Sequence, residues 1–205
     1  DIIRSRQLQG SRYPKHSIIL VFAACYKLNT PESFEYAKKV WHGAVEAGHM
    51  PLRRATTFMA YLALNQNMPH ISLEVIATVK GQNYVSVRAI KCLALAKLKR
   101  FDDVVPIVRG ILEQANPMNT KQTIPKDVIE ILQKEFAENN DKDLKVDFDK
   151  VVGFLSNHGH IADQTLEDVL CTEIQIQLQD QGFFQQQGFN QQQNQGGYRP
   201  RNPRQ

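Results

Sequence analysis

The chain has 205 residues, 42% of them hydrophobic and 22% charged, with a formal net charge of +4. That length holds one sizeable domain or an elongated array with a tail, and no apolar run approaches the ~20 residues that a membrane-spanning helix needs. The charge is uneven: residues 15–118 carry 13 basic and 7 acidic side chains, whereas residues 119–178 carry 6 and 12. An anionic partner for the basic stretch is one reading of that asymmetry, and ordinary solvated faces are the other.

The first residue is Asp and no charged-then-apolar leader follows it. The chain therefore reads as a processed product or a fragment that cannot show its own targeting segment. Residues 1–14 look like the end of a preceding helical unit, closed by Gly10 and kept from continuing by Pro14.

Residues 15–118 contain one pattern three times. SIILVFAACYKLN is followed by TPESFEYAKKVWHGAVEAG, ATTFMAYLALNQN by MPHISLEVIATVKGQ, and SVRAIKCLALAKLKR by FDDVVPIVRGILEQ. Ala37, Ser72 and Val104 align, each followed by an apolar pair, which predicts three helix pairs with a period near 35 residues. Such hairpins bury their apolar faces only against their neighbours. Thr30-Pro31 predicts an N-cap with Pro at the first helical position. Gly48 and Gly81 end the second helices of the first two pairs, and Pro106 falls within or just after the first turn of the last. Trp41 lies in a core register.

Beyond residue 118 the pattern changes. Residues 124–138 predict an amphipathic helix from Pro125, ENNDKDLK a polar linker, and residues 146–155 and 163–178 two more helices. No alternating stretch is long enough for a sheet, so the fold class is all-α: a helical-hairpin solenoid with an acidic C-terminal helical module over residues 119–178. Residues 179–205 are rich in Gln, Gly and Arg with interspersed aromatics, a composition that predicts disorder. Such a tail is either passive or sticky toward single-stranded nucleic acid and like chains. Cys25, Cys92 and Cys171 stand in apolar helical contexts and are expected as buried, inert thiols in a reducing compartment.

Three segments, VFAACYKLNTPESFEYA, RRATTFMAYLALNQN and GHIADQTLEDVLC, resemble in order and spacing a mitochondrial member of the pentatricopeptide repeat family. The resemblance covers roughly residues 12–173. It implies a non-enzymatic protein of the mitochondrial matrix that works in RNA maturation and processing, and thereby in respiratory-chain function, with single-stranded RNA as partner. The family's base-reading position, usually Asn, Ser or Thr, falls here on Ile19, Phe58 and Ile90. Apolar side chains there cannot make the hydrogen bonds that tell bases apart.

The cations that would grip an RNA backbone are Lys15, Arg53, Arg54, Arg88 and Lys91 at or near first-helix starts, and Lys97, Lys99 and Arg100 at the turn of the third pair. For each, a solvated surface charge is the competing reading. Tyr26, Tyr61 and Tyr84 are candidates for base stacking or for core. His158 and His160 flank a glycine without ligand partners, so no metal site and no cofactor are expected. Asp102-Asp103 and the Asp147, Asp149 pair fit helix starts better than acid–base catalysis. No phosphate loop and no nucleophile motif is present, and no membrane insertion is expected. The alternative to RNA binding is a protein-interaction scaffold of the same fold, and the acidic C-terminal module could recruit a protein partner in either case.

Overall fold

In the computed structural model the described residues are 13–113, 122–139 and 141–172, with side chains described from residue 17 onward. Nine helices occur among them: α1 (Tyr13–Leu28), α2 (Pro31–Glu46), α3 (Arg53–Asn65), α4 (Pro69–Ala77), α5 (Val85–Lys97), α6 (Phe101–Glu113), α7 (Lys126–Ala137), α8 (Lys142–Asn157) and α9 (Leu166–Cys171). The all-α repeat solenoid expected from the pattern is the fold. Helices α1, α3 and α5 are the first members of the three pairs, and α2, α4 and α6 are the second.

The first helices pack in succession, α1 on α3, α3 on α5 and α5 on α7. Each second helix packs on its own partner, and α4 also on α5, while α6 packs on α8. The α7–α8 hairpin thus continues the same two-layer stacking beyond the third pair. This arrangement explains the composition of α3 and α5. Flanked on several sides, they are buried around most of their circumference, with Ala55, Ala60 and Ala63 in one and Ala89, Ala94 and Ala96 in the other. Side chains without reach beyond Cβ let neighbouring helices approach closely. Second helices bury a single face; Phe34, Ala37 and Trp41 carry it in α2. Ala37, Ser72 and Val104, the positions that align the repeats, are all fully buried.

Each hairpin turns on a residue in the left-handed region: Asn29 (φ 47°), Asn67 (φ 55°) and Lys99 (φ 59°). Asn tolerates that conformation better than a long side chain does. The Thr30 cap is present and reciprocal: Ser33 N–H donates to Thr30 Oγ1 at 3.2 Å, and Thr30 N–H donates to Ser33 Oγ at 3.0 Å. Trp41 is buried edge-on to Phe22, with centroids 6.2 Å apart.

Several boundaries differ from expectation. Pro14 stands in the first turn of α1, where a missing N–H is harmless, so the first helix of the array opens at Tyr13. Helix α4 stops at Ala77, short of Gly81, because Gln82 Nε2 donates to the carbonyls of Ile76 and Val79 and satisfies the helix end early. Pro106, by contrast, sits just after the first turn of α6, as expected. The expected polar linker supplies the start of α8, since Asp141 accepts from the N–H groups of Asp143 and Leu144 and caps it. A two-residue parallel bridge also forms, Ile124 opposite Ile161. Cys25 and Cys92 are buried as expected, but Cys171 is exposed at the end of α9. Expectations for residues 1–12 and 173–205, including the disordered tail, lie outside the described residues. No described helix is long and apolar enough to cross a membrane.

Candidate functional site

The starts of α3 and α5 come together because those helices are neighbours in the stack. Neither N-cap, Leu52 nor Tyr84, supplies a side-chain hydrogen bond, so the first-turn amides keep their partial positive charge. The Arg53 guanidinium lies over the Tyr84 ring, 3.6 Å from its centroid. Tyr84 can fold that way because position 81 is glycine: a Cβ there would stand 2.6 Å from Tyr84 Cε2. Both residues stay exposed. A cavity of about 260 Å³ opens beside them, lined by Arg53, Arg54, Thr57, Tyr84, Val85 and Ser86 and, from α9, by Val169 and Leu170. Among the described residues that lining contains two cations and no carboxylate.

Helix α9 lies across the first-helix layer, packing on α3 and α5. Its Leu166 and Leu170 are buried. Polar contacts tie down its edges. Arg54 Nη2 donates to the carbonyl of Leu170 at 2.9 Å and to that of Thr172, and Lys27 pairs with Glu167. The Leu166 N–H donates to both Asp127 carboxylate oxygens at 3.0 and 3.1 Å. Behind it, His160 is buried with Nδ1 2.7 Å from the Gln122 carbonyl, and Ile124 N–H donates to the His160 carbonyl. Tyr26 and Tyr61 stack at 5.6 Å on the same layer. Burial raises both phenol pKa values, and the nearby Glu167 carboxylate raises them further.

The expected cations spread along the first helices, with Arg88 and Lys97 about 13 Å apart along α5 and Lys91 between them at its midpoint. At the N-terminal end Arg53 is exposed and stacked, while Arg54 is held by α9. Arg88 is only 4% exposed, and burial lowers its guanidinium pKa, so it lies inside the array and not on the phosphate-facing surface where it was expected. Lys91 is half-buried on the same helix. At the other end Lys97 is exposed, Lys99 pairs with Glu135 at 2.8 Å and Arg100 with Asp103 at 2.6 Å. The side chain of Lys15 lies outside the described residues.

Ile19, Phe58 and Ile90, at the base-reading register, are 5%, 3% and 0% exposed. A base cannot reach them. Asp103 serves Arg100 and Asp147 serves Lys150, and the two turn histidines each meet a backbone carbonyl. No group of three or more metal-ligating side chains occurs among the described residues. The docking of α9 has a local signal in the sequence, the capping box of Thr165 and Asp168 with leucines four apart, but nothing there announces which surface receives it.

No family model matches the chain, and no solved structure does. Among curated proteins it is similar to pentatricopeptide repeat-containing protein 2, mitochondrial, from several animals. It is 26% identical to the Homo sapiens protein over 166 residues, 80% of this chain and 42% of that one. The Mus musculus protein is 30% identical over 167 residues, with the same coverage. The Danio rerio protein is 23% identical over 172 residues, 83% of this chain and 44% of the relative. The chain spans less than half the length of the curated relatives it matches. The resemblance read from the three segments is thereby shown across four-fifths of the chain.

Proposed function

We propose that this chain, a relative of pentatricopeptide repeat-containing protein 2, is a non-enzymatic helical-repeat protein of mitochondria that grips single-stranded RNA by its backbone. The work it serves is RNA maturation and processing, through which it supports the respiratory chain. The observation that carries the reading is the cationic cavity at the starts of α3 and α5. Arg53 is held flat on Tyr84 there, with no carboxylate among the described residues of the lining. A guanidinium with a fixed plane can stack on a base or fork to a phosphate, and neither contact requires a particular sequence.

Binding should therefore be general and sensitive to salt. Arg53→Gln keeps a polar side chain but removes the charge, and Tyr84→Ala removes the support. Each is expected to weaken binding of a labelled single-stranded RNA by about three- to tenfold in fluorescence anisotropy, as loss of one charge-assisted contact does. Unchanged affinity in both, with helicity retained, would remove this cavity from the interface.

One observation favours the second reading, a protein-interaction scaffold. On α1, Leu20 and Leu28 are 70% and 67% exposed. Met59, which aligns with Leu20 in the second repeat, is fully buried. A helix packed on α1 would cover these side chains as the stack covers Met59. Partners that persist in a pull-down after nuclease treatment would support that reading over the first.

A further inference from the structure

We infer that the first-helix face beneath α9 is itself an RNA-binding surface and that α9 is its built-in occupant, so that RNA and α9 compete for it. The inference rests on the RNA reading above and concerns the surface that adjoins the Arg53–Tyr84 cavity, the two overlapping at Arg54, Thr57 and the Val169–Leu170 edge of α9.

The covered face has the composition of a single-strand platform. Lys27 and Arg54 are its cations, Tyr61 is a half-buried ring stacked on Tyr26, and one carboxylate, Asp127, stands at the edge where it accepts from the Leu166 N–H. Cations interleaved with aromatic rings hold successive nucleotides without reading them. What α9 offers that face is a substitute for a strand. The Glu167 carboxylate meets Lys27, and the carbonyls of Leu170 and Thr172 meet Arg54. A phosphodiester would present the same kind of anionic and acceptor oxygen to both. Leu166 and Leu170 supply the only fully buried side chains of the six-residue helix.

So short an element holds its place through two leucines and a few partly solvated polar contacts, which puts it at the low-stability end of the molecule. Its surface pairs are also the kind that salt and polyanions weaken. Displacement would free Lys27 and Arg54 together and extend the interface from the cavity toward α1.

The test uses the full chain with the double substitution Leu166→Ser, Leu170→Ser, which unseats α9 without changing any charge. If α9 is seated nine-tenths of the time, removing it tightens RNA binding by about tenfold. Circular dichroism checks that the array remains helical. A second measurement needs no variant: hydrogen exchange of the α9 amides in the intact chain, with and without saturating single-stranded RNA, where faster exchange with RNA is expected. Equal or weaker RNA affinity in the variant, together with α9 protection unchanged by RNA, would overturn the competition while leaving the RNA reading in place. Absence of RNA binding by both proteins would defeat the RNA reading and this inference with it.

Discussion

Ser72 shows how one atom can be out of keeping with its repeat. It aligns with Ala37 and Val104, both fully buried, and its own side chain is equally buried. Its Oγ has no hydrogen-bond partner among the described residues. A hydroxyl taken from water without a partner is destabilising, and Ala is the better helix former. Ser72→Ala is therefore expected to stabilise the chain by about 1 kcal/mol, raising the thermal midpoint by about 2–4 °C for a domain of this size. A lower midpoint would mean that the hydroxyl has a partner after all. Thiols divide in a comparable way. Burial pushes the Cys92 pKa up to about 12, whereas Cys171 is open to solvent. That difference was invisible in sequence because Cys171 sits in an apolar context whose other members, Leu166 and Leu170, take the inward positions.

At the scale of elements, the hairpins were legible wherever local chemistry decides them. Thr30-Pro31 capped α2 as the spacing required, and the apolar registers of α3 and α5 placed the right side chains inside. Where a distant or unusual partner decides, legibility failed. Gln82 ended α4 early by reaching back to two carbonyls, and Asp141 began α8 inside a run that composition alone marks as linker. The aromatic junction between the third hairpin and α7–α8 belongs here too. Phe136 stacks on Phe148 with centroids 4.1 Å apart and an 8° interplanar angle, and it meets Phe101 at 4.7 Å. Because a repeat array is stabilised mostly between neighbours, damage at one junction stays local. Phe136→Ala should cost about 3–5 kcal/mol. Hydrogen exchange should then quicken in α6, α7 and α8 while α1 and α2 keep their protection. Uniform acceleration through the chain would argue against quasi-independent hairpins.

At the scale of the molecule, repeat period pointed correctly to a stacked helical array, and apolar residues at the base-reading register pointed away from modular sequence recognition. The site was legible only in part. Arg53 and Tyr84 stand 31 positions apart, and only the stacking of α3 beside α5, with glycine at position 81, brings them into contact. Arg54 read as a cation at a helix start, yet it holds α9, which folds back onto the first-helix layer from more than a hundred residues on. Long-range return of this kind leaves no periodic trace in sequence.

Binding of the intact chain to single-stranded homopolymers, poly(U), poly(A) and poly(C), across a salt series bears most directly on backbone-directed RNA gripping. With Arg53, Lys91 and Lys97 each meeting a phosphate while α9 stays seated, the slope of log affinity against log salt should be about −2 for all three polymers, steepening toward about −3.5 where RNA displaces α9 and adds Lys27 and Arg54, and the affinities should agree within about threefold. Binding that is absent or indifferent to salt would contradict RNA gripping altogether, and a tenfold or larger preference for one polymer would contradict its indifference to sequence.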